Sequence, residues 1–558
     1  MTVREGLDDD SRTVAAAVGA ALSEAGIDHV FGLVGSGNFA LTNALVGSGA
    51  RFISARHEGA AICGADAFTR LTGRPSAVSV HQGPGFTNLL TGLAEAAKSR
   101  TPIIVLAADT PRGAIRSNFR IDEAALAAGV GALSDSLYSP ESAVSDALRA
   151  YHRAQAERRP LVLQMPIDVQ SAPAPTSPPV GLQARLHPPR PSMTALREAA
   201  ELLLHARRPL VIAGRGAVIA RARRPIEDLA ERLGALLATS AAAHGLFAGS
   251  PWSLGISGGF AAPAAARLIQ QADVVIALGA TLNMWTTRRG RLLAADAAII
   301  QVDLDADAIG LHQPVRIGIV GDAAEAASCL SAELDTVTRR FEGWRTAEVA
   351  EQLRTGGWRD VRYRDQGGHG RIDPRTLSIR LDELLPEERV IAVDSGHFMG
   401  WPAMYMRVPD AAGFVFTQAF QAVGLGLGSA IGAAIARPDR LVVAALGDGG
   451  ALMGLSELET VVRLGVRMLT VVYNDAAYGA EVHHFGPDGA NVDLVRFPDT
   501  DLAALARGAG WEAATIREPA DLKIVSDWLR AGGGKPLLLD AKVVPDVVGE
   551  WLQEAFGH

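Results

Sequence analysis

Short runs of β-branched and aliphatic residues alternate along the chain with longer Ala- and Leu-rich stretches of helical periodicity. This alternation is typical of α/β domains built on parallel sheets. Polar residues, proline and glycine separate most of the runs, as expected for turns. We therefore predict an α/β fold with strands at residues 77–80, 103–107, 161–164, 209–213, 274–278, 299–302, 390–393, 441–446 and 468–473.

Two stretches without this alternation divide the chain. Residues 171–192 are rich in proline and residues 365–374 in glycine and polar side chains, so both are predicted to be linkers. They leave three segments of domain size. We predict three parallel-sheet α/β domains at residues 1–175, 190–345 and 370–545, followed by an amphipathic tail, 546–558, with Val547, Trp551, Leu552 and Phe556 as its contacts.

Composition narrows the classes of function. The net charge of −8 over 558 residues argues against nucleic acid or an anionic membrane as a partner. The longest apolar run, residues 423–436, is too short to span a bilayer, and the acidic N-terminus has no apolar signal segment. Cys63 and Cys329 provide no disulfide framework, so a cytoplasmic protein is expected.

Residues 446–479 carry the clearest chemical signal. One predicted strand runs into Gly447-Asp448-Gly449-Gly450, and the next ends in Asn474-Asp475. The carboxyl ends of neighbouring parallel strands meet at one edge of a sheet, where such sheets bind ligands. Glycines let backbone N–H groups approach a phosphate, and carboxylates suit Mg²⁺. We predict a site for a metal-bound diphosphate, whereas an isolated Gly-Asp-Gly would indicate only a tight turn.

This unit resembles the cofactor motif of thiamine diphosphate (ThDP) enzymes. The resemblance covers all three segments, in the family's order of pyrimidine-binding, central and diphosphate-binding domains. It implies a Mg²⁺ or Ca²⁺ ion held by Asp448, Asp475 and the carbonyl of Ala477. Asp475 stands where the family usually has Asn, which makes the site more negative. Further cofactor contacts are implied for the rest of the motif, Gly447, Gly449, Gly450, Tyr478 and Gly479.

Glu58 is implied to be the catalytic acid that protonates the cofactor's aminopyrimidine. The stretch Arg56-His57-Glu58-Gly59-Ala60-Ala61 is similar to the family's glutamate-bearing helix. A carboxyl group on an Ala-rich apolar helix loses hydration, which favours its protonated form. Without the resemblance, an ordinary charge at a helix start is the simpler interpretation.

A Gly-Pro-Gly loop after the first predicted strand is similar to a family loop beside the cofactor. The resemblance implies cofactor contacts from Gly83 and Asn88, with Gln82 as a candidate substrate contact. His81 and Ser36 occupy positions where benzoylformate decarboxylase has an active-site histidine and serine. The alternative is that each satisfies backbone groups at a strand end.

Two further segments of the third domain match family positions. One implies that Val423 is the apolar wedge that bends the cofactor, and that the Gln421 carbonyl accepts from its amino group. Glu481 matches the catalytic glutamate of pyruvate decarboxylase, with a solvated helix charge as the alternative. His484 could share its helix face, and His484 and His483 are candidate substrate contacts.

The central segment carries a weaker signal. Gly214-Arg215-Gly216 follows a predicted strand, but a GxG turn alone is not specific. Some relatives bind FAD or ADP in this domain; neither is expected here. Thr286 stands where benzoylformate decarboxylase has its second histidine, so that role is missing.

We predict a ThDP- and Mg²⁺-dependent 2-oxo acid decarboxylase or carboligase, with 2-oxo acids or aldehydes as substrates. The alternatives are acetolactate synthase-type acyl transfer, a 2-hydroxyacyl-CoA lyase acting on acyl-CoA, a flavin-dependent oxidase, and a non-catalytic paralogue that binds ThDP or nucleotide. The family builds its active site between subunits, so Glu58 and Asp448 are expected to come from different chains of a homodimer or homotetramer.

Overall fold

The structure, a computed structural model, describes residues 13–174, 187–336 and 343–552. It contains three six-stranded sheets, and all strand pairs within them are parallel. The predicted α/β fold class is confirmed, and every predicted strand is present with small shifts at its ends. The residue boundaries between the domains stay a prediction, and Phe556 of the predicted tail lies outside the described residues.

The first domain contains six strands and eight helices within residues 13–174. In chain order they are α1 (Val14–Glu24), β1 (His29–Gly32), α2 (Phe39–Gly47), β2 (Arg51–Ser54), α3 (Glu58–Thr72), β3 (Ser76–Val80), α4 (Pro84–Asn88), α5 (Leu90–Lys98), β4 (Ile103–Asp109), α6 (Glu123–Gly129), β5 (Leu133–Ser136), α7 (Ala143–Glu157), β6 (Leu161–Pro166) and α8 (Ile167–Gln170).

The central domain follows the proline-rich stretch. Its elements, with the helix that leads to the third domain, are α9 (Met193–Leu203), β7 (Pro209–Ala213), α10 (Arg215–Ile219), α11 (Arg223–Leu233), β8 (Leu236–Thr239), β9 (Ser253–Ile256), α12 (Pro263–Ile269), β10 (Val274–Leu278), α13 (Met284–Thr287), β11 (Ala298–Asp303), β12 (Ile317–Val320), α14 (Ala323–Asp335) and α15 (Ala347–Arg354).

The third domain contains α16 (Pro374–Leu384), β13 (Arg389–Val393), α17 (Gly400–Tyr405), β14 (Phe414–Phe416), α18 (Gly426–Ala436), β15 (Leu441–Gly447), α19 (Asp448–Met453), α20 (Glu457–Leu464), β16 (Met468–Asn474), α21 (Gly479–Phe485), α22 (Leu502–Gly508), β17 (Glu512–Ile516), α23 (Lys523–Arg530) and β18 (Leu537–Lys542). Within the described residues, no helix has the length and apolar character to cross a membrane.

The first and third sheets have the same topology. Their orders are β2-β1-β3-β4-β6-β5 and β14-β13-β15-β16-β18-β17, so each strand has a counterpart in the other domain. In each sheet the chain moves outward from the first strand to the second and then returns to the other side of the first. This reversal creates a crevice at the carboxyl ends of β1 and β3, and another at those of β13 and β15, where open α/β sheets bind ligands.

Helices α3 and α18 are topological counterparts, and they pack directly against each other. Small residues let their backbones approach closely: a Cβ added to Gly432 would lie 2.0 Å from the carbonyl oxygen of Gly64. Beside them, the Arg56 backbone N–H donates to the buried Glu457 carboxylate at 3.1 Å. The contact therefore joins the first domain to the third.

The first and third domains thus pack against each other within one chain through α3 and α18. The expectation that Glu58 and Asp448 of one active site come from different chains stays a prediction. Assembly into a dimer or tetramer stays a prediction.

Replacing Gly432 by Ala is expected to destabilise the contact between α3 and α18. The added Cβ overlaps the Gly64 carbonyl, and overpacking of this kind costs about 1–3 kcal/mol. Urea unfolding measures the free energy of unfolding. Gly508→Ala is the control, because a Cβ there meets no atom within 4 Å. Equal stability of the two variants would contradict the close packing.

Candidate functional site

The crevice of the third domain collects polar groups from three adjacent strand ends. Asp394 follows β13, Asp448 follows β15, and Asp475 follows β16. Because β15 pairs with both β13 and β16, the three ends lie side by side. The predicted juxtaposition of the Gly447–Gly450 turn with Asp475 is present.

Asp448 and Asp475 form a close carboxyl pair. Burial, and after it the negative charge of Asp475, raises the pKa of Asp448 to about 7. Burial likewise raises the pKa of Asp475 to about 6. The two groups titrate as a pair because they share one site. Two repelling buried carboxyls suit a divalent cation, whose charge would favour both ionised forms.

No third carboxylate, histidine or cysteine completes a metal cluster among residues 13–174, 187–336 and 343–552. The Asp475 Oδ1 accepts from the backbone N–H of Ala477 at 3.2 Å, so Ala477 lies beside the pair. A cation here would take two carboxylates and a backbone carbonyl, with phosphate oxygens as further ligands.

Three glycines let neighbouring side chains of this crevice approach the backbone closely. A Cβ on Gly479 would lie 2.4 Å from Asp475 Oδ2, and one on Gly450 would lie 2.4 Å from Asp394 Oδ2. A Cβ on Gly449 would lie 2.6 Å from the ring of Tyr478. Glycine has no side chain of its own to screen its backbone N–H group, which suits the binding of a phosphate.

The loop of residues 475–478 packs against the segment after α21. The Tyr478 backbone N–H donates to the carbonyl of Val495 at 2.9 Å, and the rings of Tyr478 and Phe497 lie 4.9 Å apart. The Phe497 backbone N–H donates to the carbonyl of Ala476 at 2.8 Å. Packing of this segment thus determines where Tyr478 lies.

The predicted wedge lies at the start of α18. Val423 is 37% exposed, as a side chain reserved for a ligand contact would be. Gln421 has a φ of 61° and Gly424 a φ of 92°, so the segment turns sharply before the helix. The Gln421 carbonyl accepts from the Ser395 hydroxyl at 3.4 Å.

Glu58 is the first residue of α3 and is only 8% exposed. The His57 ring caps this helix by accepting from the Gly59 N–H at 3.0 Å. Asn88, from the end of α4, donates to Glu58 Oε2 at 3.0 Å, and a Cβ on Gly85 would lie 3.3 Å from Oε1. The Gly-Pro-Gly loop therefore holds the carboxyl group in place.

Replacing Asn88 by Ala is expected to lower kcat about tenfold, equivalent to roughly 1.4 kcal/mol of activation free energy. The reason is that the carboxyl group of Glu58 loses the donor that orients it. Steady-state kinetics together with the Kd for ThDP would measure the effect. Thr87→Ala is the control, since Thr87 is exposed on the same turn. An unchanged kcat in Asn88→Ala would show that Glu58 needs no such support.

The crevice of the first domain brings together the other predicted residues. A Cβ on Gly35, beside the exposed Ser36, would lie 2.8 Å from the His81 ring. Gln82 is 5% exposed, and its Oε1 lies so close to Gly37 that a Cβ there would overlap it. Ser36, His81 and Gln82 thus form one wall of the crevice.

Glu123 lies beside Gly83, next to these residues, and was not predicted to belong to the site. Its carboxylate accepts from the Gly83 N–H, and burial and the charge of Asp109 raise its pKa to about 8. Phe119, just before it, lies with its ring 5.2 Å from that of His81. Only its place after a polar loop marks Glu123 in the sequence, which is too weak a signal to find it.

Helix α21 carries the remaining candidates on two different faces. Glu481 and His484 are both partly exposed. His483 instead turns towards the C-terminal segment: its ring lies 4.5 Å from that of His397 and bonds to the Pro545 backbone. A cavity of about 280 Å³ lies there between Asp475 and Pro545, and the His483 side chain lines it. His483 and His484 both stay predictions as substrate contacts.

The C-terminal segment packs into the third domain. Val547, Trp551 and Leu552 are buried, as predicted from the amphipathic pattern. The Gly549 N–H donates to His397 Nε2 at 3.1 Å, and burial lowers the pKa of His397 to about 3, so the ring stays neutral and accepts this bond. The sequence did not predict this role of His397.

In the central domain, Arg215 of the GxG turn points into the first domain. Its buried guanidinium donates to the hydroxyl of Thr101 at 3.0 Å and to the carbonyl of Ser99. Thr286 is buried and its carbonyl accepts from Ser257 at 2.8 Å. Arg215 therefore joins the central domain to the first, whereas Thr286 forms a contact within the central domain.

Comparison with known proteins agrees with the three domains. Thiamine pyrophosphate (ThDP) enzyme family models match the chain in order: the N-terminal TPP binding domain at residues 12–127, the central domain at 196–330, and the C-terminal TPP binding domain at 394–541. A solved structure described as a candidate thiamin diphosphate-dependent enzyme from Mycobacterium smegmatis superposes with a TM-score of 0.79, covering 96% of this chain and 100% of that chain at 21% identity.

Curated relatives span several activities. A sulfoacetaldehyde acetyltransferase of Rhodobacter capsulatus is 30% identical, covering 94% of this chain and 92% of its own. A protein named "probable 2-ketoarginine decarboxylase" from Pseudomonas aeruginosa is 29% identical, covering 92% of this chain and 90% of its own. The acetolactate synthase large subunit of Parasynechococcus marenigrum is 29% identical, covering 93% of this chain and 86% of its own. With all three domains matched in order and both crevices formed, the chain belongs to the thiamine pyrophosphate enzyme family.

Proposed function

We propose that the protein is a ThDP- and Mg²⁺-dependent 2-oxo acid decarboxylase or carboligase. The observation that supports the proposal is the packing of α3, which begins at the buried Glu58, on α18, which follows the segment of Val423. When bound, ThDP accepts the electron pair released as a C–C bond next to a carbonyl breaks.

Residues of both crevices have distinct roles towards the cofactor. Asp448, Asp475 and the Ala477 carbonyl bind Mg²⁺, and the glycines of the crevice let backbone N–H groups reach the diphosphate. Glu58 holds a proton at the pyrimidine, where the Gln421 carbonyl accepts from the amino group. Val423 supports the bend between the rings.

The substrate lies against groups that hold and move protons. His81, Ser36 and Gln82 line one side, and Glu481, His483 and His484 line the other. Proton donors at both sides favour release of an aldehyde. Acyl transfer of the acetolactate synthase type is the second candidate, because named relatives include an acetyltransferase and an acetolactate synthase.

Product analysis separates these reactions. Wild type and Glu58→Ala are incubated with ThDP, Mg²⁺ and a panel of 2-oxo acids, with and without an acceptor aldehyde. An aldehyde made by wild type alone supports decarboxylation, and an acyloin or acetohydroxy acid supports carboligation. No turnover despite measured ThDP binding would contradict the proposal, and thioester substrates would be tested next.

A further inference from the structure

Asp394 is a fully buried carboxylate at the crevice of the third domain, and the predicted catalytic set does not include it. It follows β13, the strand at which the order of the sheet reverses. Its carboxylate lies between two separate loops, one carrying Val423 and the other carrying Asp448.

Three backbone N–H groups at the start of α18 and that of the adjacent Ser395 donate to Asp394. Its Oδ2 accepts from the Gly424 N–H at 2.9 Å, and its Oδ1 accepts from the Leu425 N–H at 3.2 Å. The Gly426 N–H also donates to it, and Oδ1 accepts from the Ser395 N–H at 2.8 Å. Asp394 thus caps α18 from a neighbouring strand, an arrangement that a negative charge favours.

The second loop closes on the same carboxylate. A Cβ on Gly450 would lie 2.4 Å from Asp394 Oδ2 and 3.3 Å from Val423 Cγ1. One on Gly426 would lie 2.5 Å from the Asp394 Cβ. The glycine turn, the wedge segment and the β13 end therefore meet at Asp394 without room for a larger group.

We propose that Asp394 is a positioning residue that sets the distance between the Val423 segment and the glycine turn, and thereby the geometry in which ThDP is held. It acts on the cofactor through the backbone N–H groups of Gly424 and Leu425 and through the tight approach of Gly450. The inference rests on the proposed contacts of Val423 and Gln421.

Asp394→Asn is the most direct test. It replaces one oxygen by an NH₂ group that faces a backbone N–H, so the wedge segment shifts. The Kd for ThDP at saturating Mg²⁺ is expected to rise roughly 10–100-fold, the range seen when partners of site ligands are removed. The exchange of the C2 proton of bound ThDP with deuterium is expected to slow as well. Should Asp394→Asn fail to fold, Asp394→Ser has the same expected effects.

Asp373→Asn is the matched control. Asp373 is also fully buried in the third domain and accepts from two backbone N–H groups, those of Arg375 and Gln366. Its replacement is expected to lower thermal stability and to leave the Kd for ThDP unchanged. A purely structural role of Asp394 would make the two variants behave alike and would overturn the inference.

A double-mutant cycle with Val423→Ala tests whether Asp394 acts on ThDP through the Val423 segment. If Asp394 acts through the wedge segment, the changes in proton exchange of the two single variants do not add in the double variant. Additive effects would overturn this route. Absence of ThDP binding by wild type would instead contradict the proposed function itself, so the two failures are distinguishable.

Discussion

Replacing Glu58 by Gln is expected to lower kcat roughly 10²–10⁴-fold, the contribution of a positioned general acid. Gln has nearly the same shape and retains an oxygen that accepts from Asn88, but it holds no transferable proton. The Kd for ThDP should change little, because in the proposed site the diphosphate is bound elsewhere, by the metal and the glycine turn. Steady-state kinetics and calorimetric titration measure the two quantities.

Glu459→Gln is the control for this prediction. Glu459 lies at the same contact between domains, where it pairs with Arg56 at 2.7 Å, but its side chain is 42% exposed. An exposed pair contributes about 0–1 kcal/mol, so kcat should stay near that of wild type. Retention of most activity in Glu58→Gln would show that another group supplies the proton.

The strands and strand-end motifs were predictable because their signals are local. A continuous apolar run such as Leu441–Leu446 of β15 is buried throughout, and the polar residues just after it lie at the ligand-binding edge. Asp448 and Asp475 were found in this way. The same reasoning applies to Asp394, which directly follows the predicted strand 390–393, but no glycine motif follows it to draw attention.

The packing of α3 on α18 was not predictable from local patterns. The two helices are far apart in sequence, and their close approach depends on Gly64 and Gly432, which have no distinctive periodicity. The shared topology of the first and third sheets is likewise invisible as a sequence repeat. Side-chain direction within α21 also depends on tertiary packing, since the ring of His483 packs against that of His397.

Asp475→Asn is expected to extend Mg²⁺-dependent ThDP binding to lower pH. A ligand carboxyl must lose its proton to bind a metal, and the pKa of Asp448 is raised to about 7 by burial and by the charge of Asp475. Binding by wild type should therefore weaken as the pH falls from about 8 to about 6, roughly tenfold per pH unit for each proton displaced. Without the charge of Asp475, the pKa of Asp448 falls and binding persists.

The apoprotein should show the opposite trend in stability. The folded carboxyl pair retains protons that the unfolded chain releases, so the free energy of unfolding decreases as the pH rises from about 4 to about 7, and Mg²⁺ with ThDP offsets this loss. Asp475→Asn should flatten this slope, whereas Asp488→Asn, at an exposed position, should not. Thermal unfolding with and without Mg²⁺ and ThDP measures both effects. If wild type and Asp475→Asn lose ThDP at the same pH, the pair does not bind the metal.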